Sequence, residues 1–314
     1  MIALSIAGTV IVLRSDSNGG DGPTQSAQGS DSEFASANDT GPATVITDDV
    51  TCDAWTRIGR EYADTVKSVN WDDRDRTVSV GAWTPEQRTM YETVGKAMTR
   101  AAEQTVGLMK RTPHRVMREL YEQFIAYAHA FTNVIPKYVA DDDNFVVVTE
   151  AAGNSVSNIC SAINYKSAQT ISGTIADPAP PSKIATLGDA PNPEVFLPEV
   201  NPICSEWASM VSRYSDDTAA WVALDPNIEA KAWTPEQRGI IDAVTTVMTT
   251  NADDIEKLGR NSGNPTLEDF AVLGAQYRRA YAAALPTYTP RDSFLAESAT
   301  YLVKIVDWAC KAGS

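Results

Sequence analysis

Two histidines in 314 residues, His114 and His129, leave this sequence poor in the side chain that most often ligates metals and moves protons near neutral pH. No two of the four cysteines lie within forty residues of each other, so the close spacing of a structural zinc site is missing. There is no His-Glu-x-x-His, no Gly-x-Ser-x-Gly, no phosphate-binding glycine loop and no dinucleotide fingerprint. Basic charge is also short: 26 Lys and Arg against 41 Asp and Glu give a net charge of −15, a field that repels polyanions and argues against nucleic acid as a partner. The expectation is a protein with no enzymatic activity, no metal and no cofactor.

A long apolar run is lacking as well. Ile2–Leu13, "IALSIAGTVIVL", is twelve uncharged residues ending at Arg14, whereas a membrane-spanning helix needs about 20. With no basic leader and no cleavage site, residues 1–14 read as the outer part of a transmembrane anchor whose beginning would lie upstream of Met1. From Arg14 to Thr51 there are seven acidic residues against one basic, and Ser, Gly and Asp predominate. Such a composition buries too little apolar surface to offset its ordering entropy, so residues 15–49 are expected to form a disordered tether.

What the sequence does contain is repetition. "AWTPEQR" occurs at Ala82–Arg88 and again at Ala232–Arg238, and the 150-residue offset aligns Trp71 with Trp221, Met98 with Met248, Tyr127 with Tyr277, Pro136 with Pro286, Tyr138 with Tyr288 and Cys160 with Cys310. A further shift of two residues aligns Cys52-Asp-Ala-Trp55 with Cys204-Ser-Glu-Trp207 and Tyr62 with Tyr214. Each half therefore begins at Cys-x-x-Trp and ends at a cysteine.

Apolar residues after each heptapeptide recur at helical steps: Met90, Val94, Met98, Ala101 and Leu108, then Ile240, Val244, Met248, Ile255 and Leu258. Thr84 and Thr234 suit the helix cap, Pro85 and Pro235 the first position, and Gln87 and Gln237 complete a capping box. A third helix is expected to open at Thr112-Pro113 and at Asn264-Pro265, carrying a core stripe of Leu120, Phe124, Tyr127, Phe131 and Ile135 in the first copy. A fourth begins near Asp141 and Asp292 and carries the closing cysteine. The fold class is all-α, a tandem duplication of a disulfide-closed four-helix bundle: repeat 1 over residues 50–163, a Pro-rich connector over 164–202 and repeat 2 over 203–314. Of the three pairings open to four cysteines, duplication selects Cys52–Cys160 and Cys204–Cys310. Structural disulfides place both bundles in an oxidising, extracytoplasmic compartment.

One local cluster stands out in this acidic chain. Lys110, Arg111, His114, Arg115 and Arg118 gather at a helix start, where an anionic headgroup or cell-wall polymer could dock. The alternative is a solvated turn whose arginines pair with Glu119 and Glu122 at helical spacing. The run Asp141-Asp142-Asp143 reads as a helix cap in preference to a cation site.

"CDAW", "AWTPEQR" and the Ala/Thr/Asp-rich helices, behind an apolar start and a polar tether, resemble the uncharacterised membrane-anchored envelope proteins of actinobacteria, mycobacteria in particular. The expected role is an interaction or scaffold protein of the cell envelope, held to the membrane and engaging a protein partner. The alternative is a carrier holding a lipid or other small amphiphile against Phe124, Tyr127 and Phe131.

Overall fold

Ten α-helices occur among residues 32–313, the part of the chain that the computed structural model describes. The first repeat contributes α1 (Cys52–Ser68), α2 (Pro85–Arg111), α3 (Arg115–Val134) and α4 (Asp143–Asn164). A short α5 (Ser167–Ile171) follows, and the second repeat contributes α6 (Cys204–Asp217), a single turn α7 (Ala219–Val222), α8 (Pro235–Asn261), α9 (Pro265–Ala284) and α10 (Ser293–Ala312). The helices that open within the heptapeptides, α2 and α8, are 27 residues long in both copies, and α3 and α9 are each 20.

The heptapeptide performs two local tasks. Thr84 accepts from the Gln87 N–H at 3.2 Å while the Gln87 side chain accepts from the Thr84 N–H at 2.9 Å, and Thr234 and Gln237 repeat both distances. The preceding tryptophan then pins the incoming chain: Trp83 Nε1 donates to the Val78 carbonyl at 2.8 Å, and Trp233 Nε1 to Ile228 at 3.0 Å. Tyr138 and Tyr288 pack beside these indoles and donate their hydroxyls to Arg76 and Pro226 carbonyls at 3.0 and 2.7 Å. A cap and a clasp at the same end explain why the motif is kept in both copies.

Within each repeat the helices form a ring in which the first touches the second and fourth, and the third touches the second and fourth. Disulfides Cys52–Cys160 and Cys204–Cys310 close the rings, with Cα–Cα distances of 5.3 and 5.6 Å. The rings are not separate bodies. Helix α4 lies against α10 in the most extensive helix contact of the fold, α3 meets α9, and the buried apolar residues of both repeats belong to one core. Both α4 and α10 carry small residues where they bury, among them Ala151, Ala152 and Ser155 on one side and Ala296, Ser298 and Ala299 on the other. Close approach of two such helices removes more apolar surface from water than either ring could alone.

Three expectations are corrected. Residues 33–49 do not form a disordered tether: Phe34, Ala43, Val45 and Ile46 are buried, and the segment lies as a strap on the bundle. Its few apolar residues are concentrated where they meet the core, which an average over the whole polar stretch conceals. The earlier tether residues, up to 31, and the anchor at 1–14 lie outside the described residues, among which no helix is long and apolar enough to cross a membrane. The connector is extended but does not stand apart, because Phe196 and Leu197 are buried and Phe196 packs on both Tyr127 and Phe270. Finally, α3 starts at Arg115 with His114 before it: the Thr112 hydroxyl donates to the Asp49 carboxylate and accepts from the His114 N–H at 3.3 Å, ahead of the helix, while Asp39 takes the Arg115 N–H.

Candidate functional site

The basic cluster of α2 and α3 is drawn into the structure. Arg115 is 1% exposed and grips Asp269 of α9 through Nε at 2.7 Å and Nη2 at 2.9 Å. Its third arm donates to the carbonyls of Asp39 and Gly41 in the strap, at 2.8 and 3.1 Å, and its backbone N–H donates to the Asp39 carboxylate at 2.7 Å. Burial works against the Arg115 charge, but Asp269, through its hydrogen bonds and its charge, then Glu119 and Asp39 outweigh it and raise the pKa. Arg118 is equally buried and pairs with Glu122 one turn on and with Glu119. Lys110 pairs with Glu33, and the His114 Nε2 meets the Asp48 carbonyl at 2.8 Å. Arg111 is exposed. Four of the five residues read as an anion site are thus engaged by the protein's own carboxylates and carbonyls.

Glu119 and Glu122 are not solvated. Every residue of α3 from Arg115 to Ala128 is buried, because α9, the strap and the connector cover the face that a lone bundle would leave wet. Burial first, and then the Asp269 carboxylate, push Glu119 well above the ordinary carboxylate range, with Arg118 and Arg115 opposing. Burial raises Glu122 too, against Arg118. The 150-residue offset makes Asp269 the counterpart of Glu119, so two acids meet near the repeat junction, with Arg115 on Asp269 and Arg118 on Glu119. In the acidic run, Asp142 accepts from the Val139 N–H at 2.8 Å and Asp143 pairs with Arg74 at 2.6 Å and Arg76 at 3.5 Å. Capping and ion pairing account for both residues.

The stripe of α3 faces core. Phe124 meets Trp55 edge-on at 5.1 Å, Phe131 meets Trp71 at 6.1 Å and Tyr127 meets Phe196 at 6.1 Å. Sequence reasoning missed two groups. Glu150, half-buried on α4, is pushed up to about 7 by burial, with Arg74 opposing and Asp143 adding to the rise. Arg278, on α9, is 1% exposed and has the Tyr214 hydroxyl as its hydrogen-bond partner, with the guanidinium over that ring at 4.2 Å. Its first-repeat counterpart is Ala128, so the repeat pattern offered no hint of it.

The surface offers a different feature. Between α6–α7 and α8 runs an open groove with two compartments of about 330 and 220 Å³, which share Asp217 and Val247. Its walls are apolar, formed by Trp221, Ile240 and Val244, and its edges carry Asp217, Glu236 and Asp254.

A family profile described as "Mycobacterial ESX-1 associated protein" matches residues 34–314. An uncharacterised protein of Mycolicibacterium smegmatis (strain MKD8) is 41% identical over 316 residues, covering 100% of this chain and 84% of that one. No solved structure matches the chain. The matched span starts at the strap, at Phe34, and takes in both repeats and the connector. The chain belongs to the family of mycobacterial ESX-1 associated proteins.

Proposed function

We propose that this protein is a non-enzymatic interaction protein of the mycobacterial envelope that serves the ESX-1 secretion system by binding one of its protein components. Family membership is the observation that carries this reading. The two disulfides support an extracytoplasmic site of action, since such bonds persist in oxidising compartments. A body closed by an internal charge network and a shared core has its surface available for partners. The packed aromatic stripe gives no support to the alternative of a lipid carried in the bundle interior. The anchor read in Ile2–Leu13 would hold the body at the membrane.

Crosslinking in mycobacterial cells, followed by mass spectrometry, tests the partner. Components of the secretion system should be enriched in cells that carry it, and an identical set of neighbours with and without the system would overturn the reading. Alkylation of intact cells tests the compartment: all four cysteines should resist labelling until reduced. Fractionation tests the anchor, since deletion of residues 1–14 should release the protein from membranes.

A further inference from the structure

The two repeats differ at the face between the first and second helices of each ring. In repeat 1 the tryptophan of this face is sealed in. Trp71 is 0% exposed, Thr89 projects from α2, and Arg100 bridges to Glu61 across the two helices at 3.1 Å. In repeat 2 the same face holds the groove. Trp221 is half-buried and lines the groove, Gly239 replaces Thr89, and Thr250 replaces Arg100, so the ion pair between the two helices is reversed in sign and moved to Arg213 and Asp254. The glycine adds no bulk, and a Cβ built there would meet only open space.

The groove also holds a buried oxygen without a donor. Asn251 lines its smaller compartment and is 6% exposed, its amide donates to the Met210 sulfur at 3.0 Å, and its Oδ1 has no hydrogen-bond partner. In repeat 1 the same position is Ala101, so the bundle does not require an amide there. A buried acceptor without a donor is a cost that packing alone does not offset. Around it the edges are acidic: Asp217, Glu236 and Asp254 face one cation, Arg213, which lies 3.9 Å from Asp254.

We infer that this groove is the docking site for an amphipathic helix of a protein partner, with an aliphatic stripe on the apolar walls and Lys or Arg side chains on the acidic edges. A trough between two helices accepts the ridge of a third. From Glu236 to Asp254 it runs about 27 Å at 1.5 Å per residue, which matches a partner helix of about 18 residues. The acidic edges select a basic partner and repel an acidic one, and a donor reaching inward would satisfy Asn251. The inference rests on the proposed role as an interaction protein and names the surface that performs it.

The test uses the purified full chain with both disulfides formed and fluorescein-labelled 18-residue helical peptides with a Leu stripe, flanked by Lys in one and by Glu in the other. Fluorescence anisotropy should show the Lys-flanked peptide bound at least tenfold more tightly. Gly239→Trp should weaken it at least tenfold, and Thr89→Trp, at the equivalent place in repeat 1, should leave it unchanged. Asp217→Asn with Asp254→Asn should remove the preference for Lys without touching the walls, and this pair decides the matter if the tryptophan variant fails to fold. Equal affinity for both peptides, binding of neither, or equal damage by both tryptophans would overturn the assignment. Crosslinks to secretion components that persist in cells carrying Gly239→Trp would leave the interaction role standing and remove the groove from it. Their absence from unmodified cells would remove the role itself.

Discussion

Arg115 holds two carboxyl-bearing residues from opposite ends of the chain, Asp269 of α9 and Asp39 of the strap. Replacing it by alanine leaves Asp269 buried without its partner beside Glu119, a change that costs about 3–5 kcal/mol when a buried pair is broken. Urea unfolding of Arg115→Ala should show a loss of that size, and a loss below 1 kcal/mol would mean that water reaches the site. Glu150 supplies a pH dependence. Its folded pKa of about 7 lies above an unfolded value of about 4.3, so the unfolded chain gives up this proton first and stability falls as pH rises between the two values. Asp72, Asp143, Arg74 and Arg76 set the local charge, and Tyr62 and Tyr301 lie near enough for Glu150 to raise their pKa values. Glu150→Gln should melt a few degrees above the unmodified protein at pH 8 and coincide with it at pH 4. An equal offset at both pH values would assign the effect to packing.

At the scale of the element, the helices were legible because their signals are local. The Thr-Pro-Glu-Gln starts of α2 and α8 are read from four adjacent residues, and the hydrogen bonds form between those same residues. Thr84→Ala and Thr234→Ala should each cost about 1 kcal/mol, and the double variant their sum, because the two caps share no partner. Calorimetry of the three variants checks this, and a cost confined to one copy would show that the other end is held by its tryptophan clasp. The start of α3 was misjudged for a related reason. Thr112 has the chemistry of a cap, but its oxygen accepts from the His114 N–H ahead of the helix, and Asp39, 76 residues before Arg115, takes the first helical N–H. A close approach of α8 and α9 was equally hidden: a Cβ on Gly259 would lie 2.2 Å from the Cβ of Ala271, and only the packed pair reveals that need.

For the whole molecule, the contact between α4 and α10 decides the behaviour. Two bundles joined by a linker would unfold separately, whereas a shared core should unfold in one step. Calorimetry should therefore show a single transition in which the calorimetric and van't Hoff enthalpies agree, and two resolved transitions would contradict the fused core. The disulfides close loops of 108 and 106 residues in sequence separation, and each adds up to about 4–5 kcal/mol in the chain-entropy model. Reduction should lower the midpoint of that one transition without splitting it. Loss of either bridge should therefore destabilise both repeats.

The all-α class, the duplication, the cysteine pairing and the aromatic stripe were readable from residues alone, because periodicity, capping and a 150-residue offset are written in neighbouring or equivalent positions. What covers α3 was not. A basic cluster beside Glu119 and Glu122 reads as a wet helix face until Asp269, 154 residues from Arg115, and the strap at Asp39, 76 residues away, arrive to bury it. The groove of repeat 2 has the same origin: Gly239, Thr250 and Asn251 are ordinary helix residues in the sequence, and only their neighbours across α6 make them a surface. Local hydrogen bonds determine the elements, while desolvation depends on which distant segments meet, and that meeting is a property of the folded chain.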